Sequence, residues 1–245
     1  MQPRIRSVWC SRQTVVELRD SKRWQLRRPV VLPAGFDVVD GVVEQQLEGE
    51  RSEPVVMCSR SNEAAPTRPA LVRCPYGRRN DWLWCREAYR LEGARQSRHV
   101  AYEADSLESA SGGTRWISAL LMPVGAARLW LRIYNVRAVL LQSINDFDVS
   151  SEGVACPMHD TAHSYCLSGE CEVRRAAFVE RWDARYGATP ARWSCNPWVW
   201  AVSVTRHSPQ MARIAREQDA AALEAERMRD PRSRTSHGAR AAARR

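Results

Sequence analysis

The chain has 245 residues, a mass of 27.9 kDa and a hydrophobic content of 44% with 10 Trp, which suits one globular domain with an appendage. A formal charge of +9 favours polyanionic partners, nucleic acid first. The longest apolar candidate, residues 117–127, has about half of the ~20 residues that a membrane span needs, so we expect no membrane contact.

The expected compartment of the protein determines the chemical state of its cysteines. No apolar stretch follows the arginines of the first twelve residues, so we expect no signal peptide and a cytoplasmic location. Eight cysteines in a cytosolic protein are expected to be thiols or metal ligands rather than disulfides.

The N-terminal half is predicted to contain one helix and several short strands. Apolar residues among polar neighbours predict a helix over residues 12–21, and "WQLRRPVVL" (24–32) predicts a strand that Pro33 stops. Residues 34–70 are rich in Gly, Glu, Ser and Pro, so we expect a long loop or a small excursion there. Residues 74–89 read as a turn leading into a strand, and 99–104 as a short strand.

The clearest strand signal lies at residues 127–141, where apolar and other residues alternate. One face of the strand carries Leu129, Leu131 and Ile133. The other face carries Arg128, Trp130, Arg132 and Tyr134. A capped helical turn is predicted at 144–154.

The remaining elements complete a mixed α+β pattern. An amphipathic helix with a C-cap at Gly187 is predicted at 172–187, and a last strand at 196–207. Short strands with interspersed helices predict an α+β fold with a small closed sheet, a barrel. Residues 208–245 have nine Arg against five Asp plus Glu, a net charge of +4, and we expect a basic, partly helical or disordered tail.

Four segments resemble, in order and spacing, the ASCH-domain proteins of bacteriophages and prophages. They are "CPYGRRNDWLWCREAYR" (74–90), residues 115–154 ending in "SSEGV", "FVERWDARYG" (178–187) and "WSCNPWVWAVSV" (193–204). The resemblance implies a PUA-like β-barrel over residues 7–207, with excursions at 34–70 and 155–172, in the cytoplasm of a bacterial host. It also implies that RNA or a modified nucleotide is bound in a cleft of the barrel.

The chain departs from the family in one motif, Gly-x-Lys-Thr-x-Thr-Arg-Arg. Aligned on Arg27 and Arg28, the family's lysine falls on Arg23 and its threonines on Trp24 and Leu26. Lys22, the only lysine in the chain, is displaced by one residue, and such a shift sends a strand side chain to the opposite face. The glycine of a second motif is replaced by Asn80, which tolerates left-handed backbone angles.

Some relatives of this fold are amidohydrolases of acetylcytidine that use a lysine, a threonine and a glutamate. The resemblance places the lysine role on Lys22 (or Arg23) and the glutamate role on Glu152. Nearby arginines would lower the pKa of a lysine and help it to act as a base or nucleophile. Because the threonines are missing, however, the motif favours binding over catalysis.

A basic and aromatic face is the second candidate site. Guanidinium groups suit phosphates, and indole rings suit bases. The alternative is that arginine stems simply pack on rings at the surface of the barrel. The residues in question are Arg23, Arg27, Arg28, Trp82, Trp84, Arg86, Glu87, Arg128, Trp130 and Arg132.

A third candidate site lies in the excursion "CPMHDTAHSYCLSGEC" (156–171). Two cysteines and two histidines there could close a tetrahedral, structural zinc site, and the alternative is a surface loop with reduced thiols. The candidate ligands are Cys156, His159, His163, Cys166 and Cys171.

Three functions therefore compete. The first is a phage-type ASCH-domain protein that binds RNA or a modified nucleotide and requires no cofactor. The second is an amidohydrolase of an acylated nucleoside that acts through Lys22 and Glu152. The third is an assembly or interaction protein that uses the barrel as a scaffold for phage or host proteins.

Overall fold

The computed structural model describes residues 3–45, 53–60, 70–93, 99–106, 115–156, 171–214 and 217. Its strands are β1 (Ile5–Trp9), β2 (Gln25–Pro29), β3 (Phe36–Gln45), β4 (Glu53–Arg60), β5 (Ala70–Arg73), β6 (Trp82–Arg86), β7 (Tyr89–Glu92), β8 (His99–Tyr102), β9 (Trp130–Leu140) and β10 (Trp198–His207). Its α-helices are α1 (Arg12–Arg19), α2 (Asp146–Ser151) and α3 (Glu172–Tyr186), and a further helical stretch begins at residue 209.

Local sequence signals explain where the helices begin. The Ser11 side chain accepts a hydrogen bond from the Thr14 N–H (3.3 Å) at the start of α1. The Asn145 side chain does the same for the Asp148 N–H (2.8 Å) at the start of α2. The helix α3 has Gly187 at its C-cap, as the sequence predicts.

The strands form three sheets. The largest has the order β1-β6-β9-β10-β2, in which β1 and β6 are parallel and the other pairs are antiparallel. The second has the order β3-β4-β5, and the third pairs β7 with β8. The fold is therefore mixed α+β, mostly strands with few helices, as the sequence predicts.

The predicted barrel is not confirmed, because the sheets are not closed. The strands β1 and β2 form the two edges of the large sheet within the described residues. They are linked instead by a side chain, since Nη2 of Arg28 in β2 donates to the carbonyl oxygen of Trp9 in β1 (3.2 Å). The helix α1 connects these same two strands in the chain.

Residues 34–70 differ from the expected loop, because they contain β3 and β4. These strands pair with β5, and the register shifts twice near Asp40. The valines of this segment favour strands, although Gly, Glu and Pro between them obscure the periodicity. Val56 is fully buried and joins the main core, so tertiary packing stabilises strands that the local pattern barely indicates.

Three side-chain clusters cover the large sheet. The main core contains Leu26, Leu83, Leu131, Ile133 and Trp200, which are almost fully buried. A second cluster, which we call the indole cluster, contains Trp82, Trp84, Tyr89, Met122, Ala127, Trp130 and Ala212. A third packs α2 and α3 against β9 and β10. Because Ala212 is buried, the packed domain continues past the predicted boundary at residue 208.

Among the described residues, no helix has the length and apolar content for a membrane span.

Candidate functional site

A group of buried charges lies where α1, β2, α2 and α3 meet. Nε of Arg23 donates to Oε2 of Glu17 (2.8 Å), and Nη1 of Arg23 donates to Oε2 of Glu152 (2.7 Å). Arg181 donates from Nη2 to the second oxygen of Glu17. We call these four residues the ion cluster. Two cations face two carboxylates, and the side chains of Arg23 and Glu152 are only 6% and 5% exposed.

The chain reversal after α1 explains why Arg23 reaches this cluster. Ser21 has a φ of +57°, and the N–H groups of Lys22 and Arg23 both donate to the carbonyl oxygen of Glu17 (2.8 and 3.2 Å). This turn leaves the Lys22 side chain exposed and buries the Arg23 side chain. Lys22 and Arg23 lie in this turn, before β2 begins at Gln25, so the turn rather than strand alternation separates the two side chains.

The predicted catalytic pair, Lys22 and Glu152, is consequently not brought together. Glu152 is bonded to Arg23, while the Lys22 side chain faces solvent. A guanidinium stays protonated at all accessible pH values, so Arg23 supplies charge and donors but no base.

Burial changes the pKa of the outermost member of the ion cluster. Removal from water lowers the pKa of Arg181, and the positive charge of Arg23 lowers it further. The carboxylate of Glu17 opposes both effects, and the guanidinium remains charged.

The other two predicted arginines of β2 are also buried. Nη2 of Arg27 donates to Asp148 (3.1 Å), whose other oxygen accepts from Arg137 (2.9 Å). Arg28 donates to the carbonyl oxygens of Arg27 and Trp9. Both arginines hold internal partners and are under 10% exposed, so neither is placed to meet a phosphate at the surface.

The tryptophans of the predicted basic and aromatic face belong to the indole cluster. Trp82, Trp84 and Trp130 are all buried there. The guanidinium of Arg86 lies 5.0 Å from the centroid of the Trp84 ring, and that of Arg132 lies 5.7 Å from the Trp82 ring. This arrangement matches the alternative in which arginines pack on rings.

Glu87 and Arg128 form a further internal ion pair. Nε and Nη2 of Arg128 donate to the two oxygens of Glu87 (2.9 and 2.8 Å), and Glu87 is 2% exposed. The Arg128 guanidinium also lies 3.9 Å from the Tyr102 ring centroid. This geometry is bidentate and well satisfied, which is typical of a structural pair.

A cavity of about 410 Å³ lies beside the ion cluster. Arg23 belongs to both. The bonds of Arg23 to Glu17 and Glu152 therefore hold one of the residues that line the cavity. The lining residues include no carboxylate and are Leu18, Ser21, Arg23, Trp24, Tyr134, Ser203, Val204, Thr205 and Arg206.

Two aromatic rings of the cavity are held by backbone geometry. The N–H of Trp24 donates to the carbonyl oxygen of Ser151 (3.0 Å), and its own carbonyl accepts from Val204 (2.8 Å). Tyr134 is the extra residue of a β-bulge, because Asn135 pairs with Ser203 while Ile133 pairs with Val204. Bulges redirect side chains and occur often beside functional sites.

Comparisons of the chain with protein-family models, with curated proteins and with solved structures return no match.

Sequence reasoning missed most of the cavity. The sequence identifies Trp24 only as the replacement of a family threonine, and it predicts no role for Ser203, Thr205 or Arg206. A signal for the bulge was nevertheless present. Tyr134 and Asn135 are consecutive exposed residues, and the buried positions change from 131 and 133 to 136 and 138. Two polar residues in succession within an alternating strand indicate such a bulge.

The predicted zinc site lies partly outside the described residues, which exclude His159, His163 and Cys166. The two ends of the excursion do meet, since Sγ of Cys156 lies 3.4 Å from Sγ of Cys171 and both are buried. Two thiolates on one tetrahedral zinc would be about 3.8 Å apart, so the pair fits two of its ligands. Among the described residues no group of three or more His, Cys, Asp or Glu could hold a metal. The structural zinc stays a prediction.

Proposed function

We propose that the protein binds RNA or a modified nucleotide in the cavity beside the ion cluster. The observation that carries the proposal is the lining of that cavity, in which the Trp24 and Tyr134 rings accompany Arg23 and Arg206 without any carboxylate. The resemblance to phage ASCH-domain proteins supports the same function and a location in the bacterial cytoplasm.

The size and chemistry of the cavity suit a nucleobase. Its volume of about 410 Å³ falls in the range of roughly 300–1,000 Å³ that small-molecule sites occupy. Aromatic rings stack with bases, and hydroxyl groups such as that of Ser203 can donate to or accept from a base edge. The cavity therefore offers both a stacking surface and polar contacts.

The charges around the cavity suit a phosphate. Glu17 and Glu152 neutralise the buried Arg23, so the cation that is open to a phosphate at the cavity is Arg206. Arg206 is exposed and forms no ion pair within the described part of the chain. A cation without a carboxylate partner can pair with a phosphate at little cost in desolvation or competition.

The ion cluster favours binding over the amidohydrolase alternative. That reaction needs a lysine beside Glu152, whereas Arg23 occupies this place and Lys22 is exposed. No described contact specifically favours a phage-assembly scaffold.

The test is calorimetric titration with cytidine 5′-monophosphate, its N4-acetyl form and a short single-stranded RNA. We expect Trp24→Ala to weaken binding by about 5-fold to 150-fold, because a base–ring stack contributes about 1–3 kcal/mol. Trp24→Phe keeps a ring and should retain most of the affinity. A wild-type protein that binds none of these probes would refute the proposal.

A further inference from the structure

We infer that the cavity holds one nucleotide of a continuous single strand, which extends from the cavity over Tyr134 towards Arg79. This inference rests on the proposed function and adds to it the class of ligand, a strand rather than a free nucleotide. Three observations carry it: the exposure of Tyr134, the position of Arg79 and the lack of acidic partners for two arginines.

Tyr134 belongs to the cavity and to the surface at once. Its side chain lines the cavity, yet the residue is 63% exposed. Tyr134 follows the buried Ile133 and therefore points away from the main core, and as the extra residue of the bulge it has no cross-strand partner in β10. A ring in this position can contact a base in the cavity and still present free surface to a neighbouring base.

Arg79 lies beside that ring. Its guanidinium carbon is 5.5 Å from the centroid of Tyr134, although Arg79 is not a lining residue of the cavity. A cation therefore lies just outside the cavity, next to the ring that marks its edge.

The turn that carries Arg79 is firmly fixed. The N–H of Asn80 donates to the carbonyl oxygen of Ile133 (2.8 Å), and Oδ2 of Asp81 accepts from the N–H of Arg78 (3.1 Å). Asn80 has a φ of +72°, as expected from the glycine that it replaces in the resemblance. The turn is thus attached to β9 directly beside Tyr134, so the backbone of Arg79 is held next to that ring.

The charge pattern separates these arginines from the structural ones. Arg23, Arg27, Arg128 and Arg174 each hold a carboxylate. Arg79 and Arg206 are exposed and hold none within the residues that the structure describes. One of these cations lies at the cavity and the other beside the exposed ring of Tyr134, so each can pair with a phosphate of one strand. Proteins that bind single strands combine a line of cations with rings on which successive bases stack.

The experiment compares the binding of mono-, di- and tetranucleotides to wild type, Arg79→Ala and Arg213→Ala. Arg213 is an exposed arginine of the C-terminal helical stretch and serves as the matched control. We expect wild-type affinity to rise at least about 10-fold from the mononucleotide to the tetranucleotide. Arg79→Ala should lower tetranucleotide affinity by about 3-fold to 10-fold and reduce the salt slope by about 0.7.

The outcomes distinguish failure of strand binding from failure of nucleotide binding. Equal affinity for mononucleotide and tetranucleotide would overturn the strand while leaving the nucleotide site intact. An Arg79→Ala variant that weakens the mononucleotide as much as the tetranucleotide would also overturn it, as would an equal loss in Arg213→Ala. Failure of every probe would overturn the proposed function itself. RNA and DNA tetranucleotides of one sequence identify the kind of strand, and a length-dependent gain for either supports the inference.

Discussion

At the scale of single residues, the ion cluster depends on which of two adjacent cations, Lys22 or Arg23, is buried. Arg23 joins Glu17 of α1 to Glu152, which follows α2, while Lys22 lies outside. Removing one member of a buried ion pair leaves its partners charged without compensation, and this costs far more than the pair itself contributes. The ion cluster therefore supports the cavity only while Arg23 is present.

Substitution of these two neighbours should separate their roles. We expect Arg23→Met to lower the free energy of unfolding by about 3–5 kcal/mol, because Glu152 loses its cation in the interior. Lys22→Ala should change it by less than about 0.5 kcal/mol, since the side chain is exposed. Urea denaturation of both variants measures the difference, and equal stabilities would contradict the described ion cluster.

At the scale of elements, two glycines fix the turns that shape the site. Gly153, after α2, has a φ of +76°, and a Cβ there would lie 3.0 Å from Oε2 of Glu17. Gly77 precedes the turn of Arg79 with a φ of +114°, and a Cβ would lie 2.6 Å from Oδ2 of Asp81. Both positions combine a left-handed backbone with a close approach of a carboxylate, so only glycine fits without rearrangement.

Alanine at these positions should destabilise the protein. We expect Gly77→Ala and Gly153→Ala each to cost about 1–3 kcal/mol, from backbone strain and steric contact. The matched control is Gly125→Ala, where φ is not positive and no atom lies within 4 Å of the new Cβ. That variant should stay within about 1 kcal/mol of wild type. Thermal unfolding of the three variants gives the comparison, and a loss as large in Gly125→Ala would refute the explanation.

At the scale of the whole molecule, charge is divided between internal pairs and free cations. The described arginines of the ion cluster and of the Asp148 pair neutralise buried carboxylates, so they add little to the external field. The last fifteen residues carry five Arg and no acid. Under the proposed function, we expect these arginines to contribute to nucleic-acid binding electrostatically and independently of base identity.

Deletion of residues 231–245 tests this division. We expect the slope of log affinity against log salt for single-stranded RNA to fall in magnitude by up to about 3.5, from five arginines at about 0.7 each. The ratio of affinities for different mononucleotides should not change, because the cavity is intact. Anisotropy titrations at several salt concentrations measure both quantities. An unchanged slope would show that the tail makes no contact.

Sequence alone determined the local elements and the class of fold. The helices α1, α2 and α3 and the strands β2, β6, β8, β9 and β10 lie where periodicity and capping residues predict them. The left-handed backbone at Asn80 was also predictable. Such features depend on neighbours within a few residues, and those neighbours are printed in the sequence.

Only the tertiary structure decided which side chains meet and whether the sheet closes. Arg23 and Glu152 are 129 positions apart in the chain. The turn at Ser21 buries the Arg23 side chain beside Glu152 and leaves the Lys22 side chain exposed. The indoles of β6 and β9 are buried rather than exposed because residues from distant segments, such as Tyr89, Met122 and Ala212, pack with them. These outcomes depend on contacts between distant segments and on small backbone irregularities, such as the bulge at Tyr134, which change the face of every later residue.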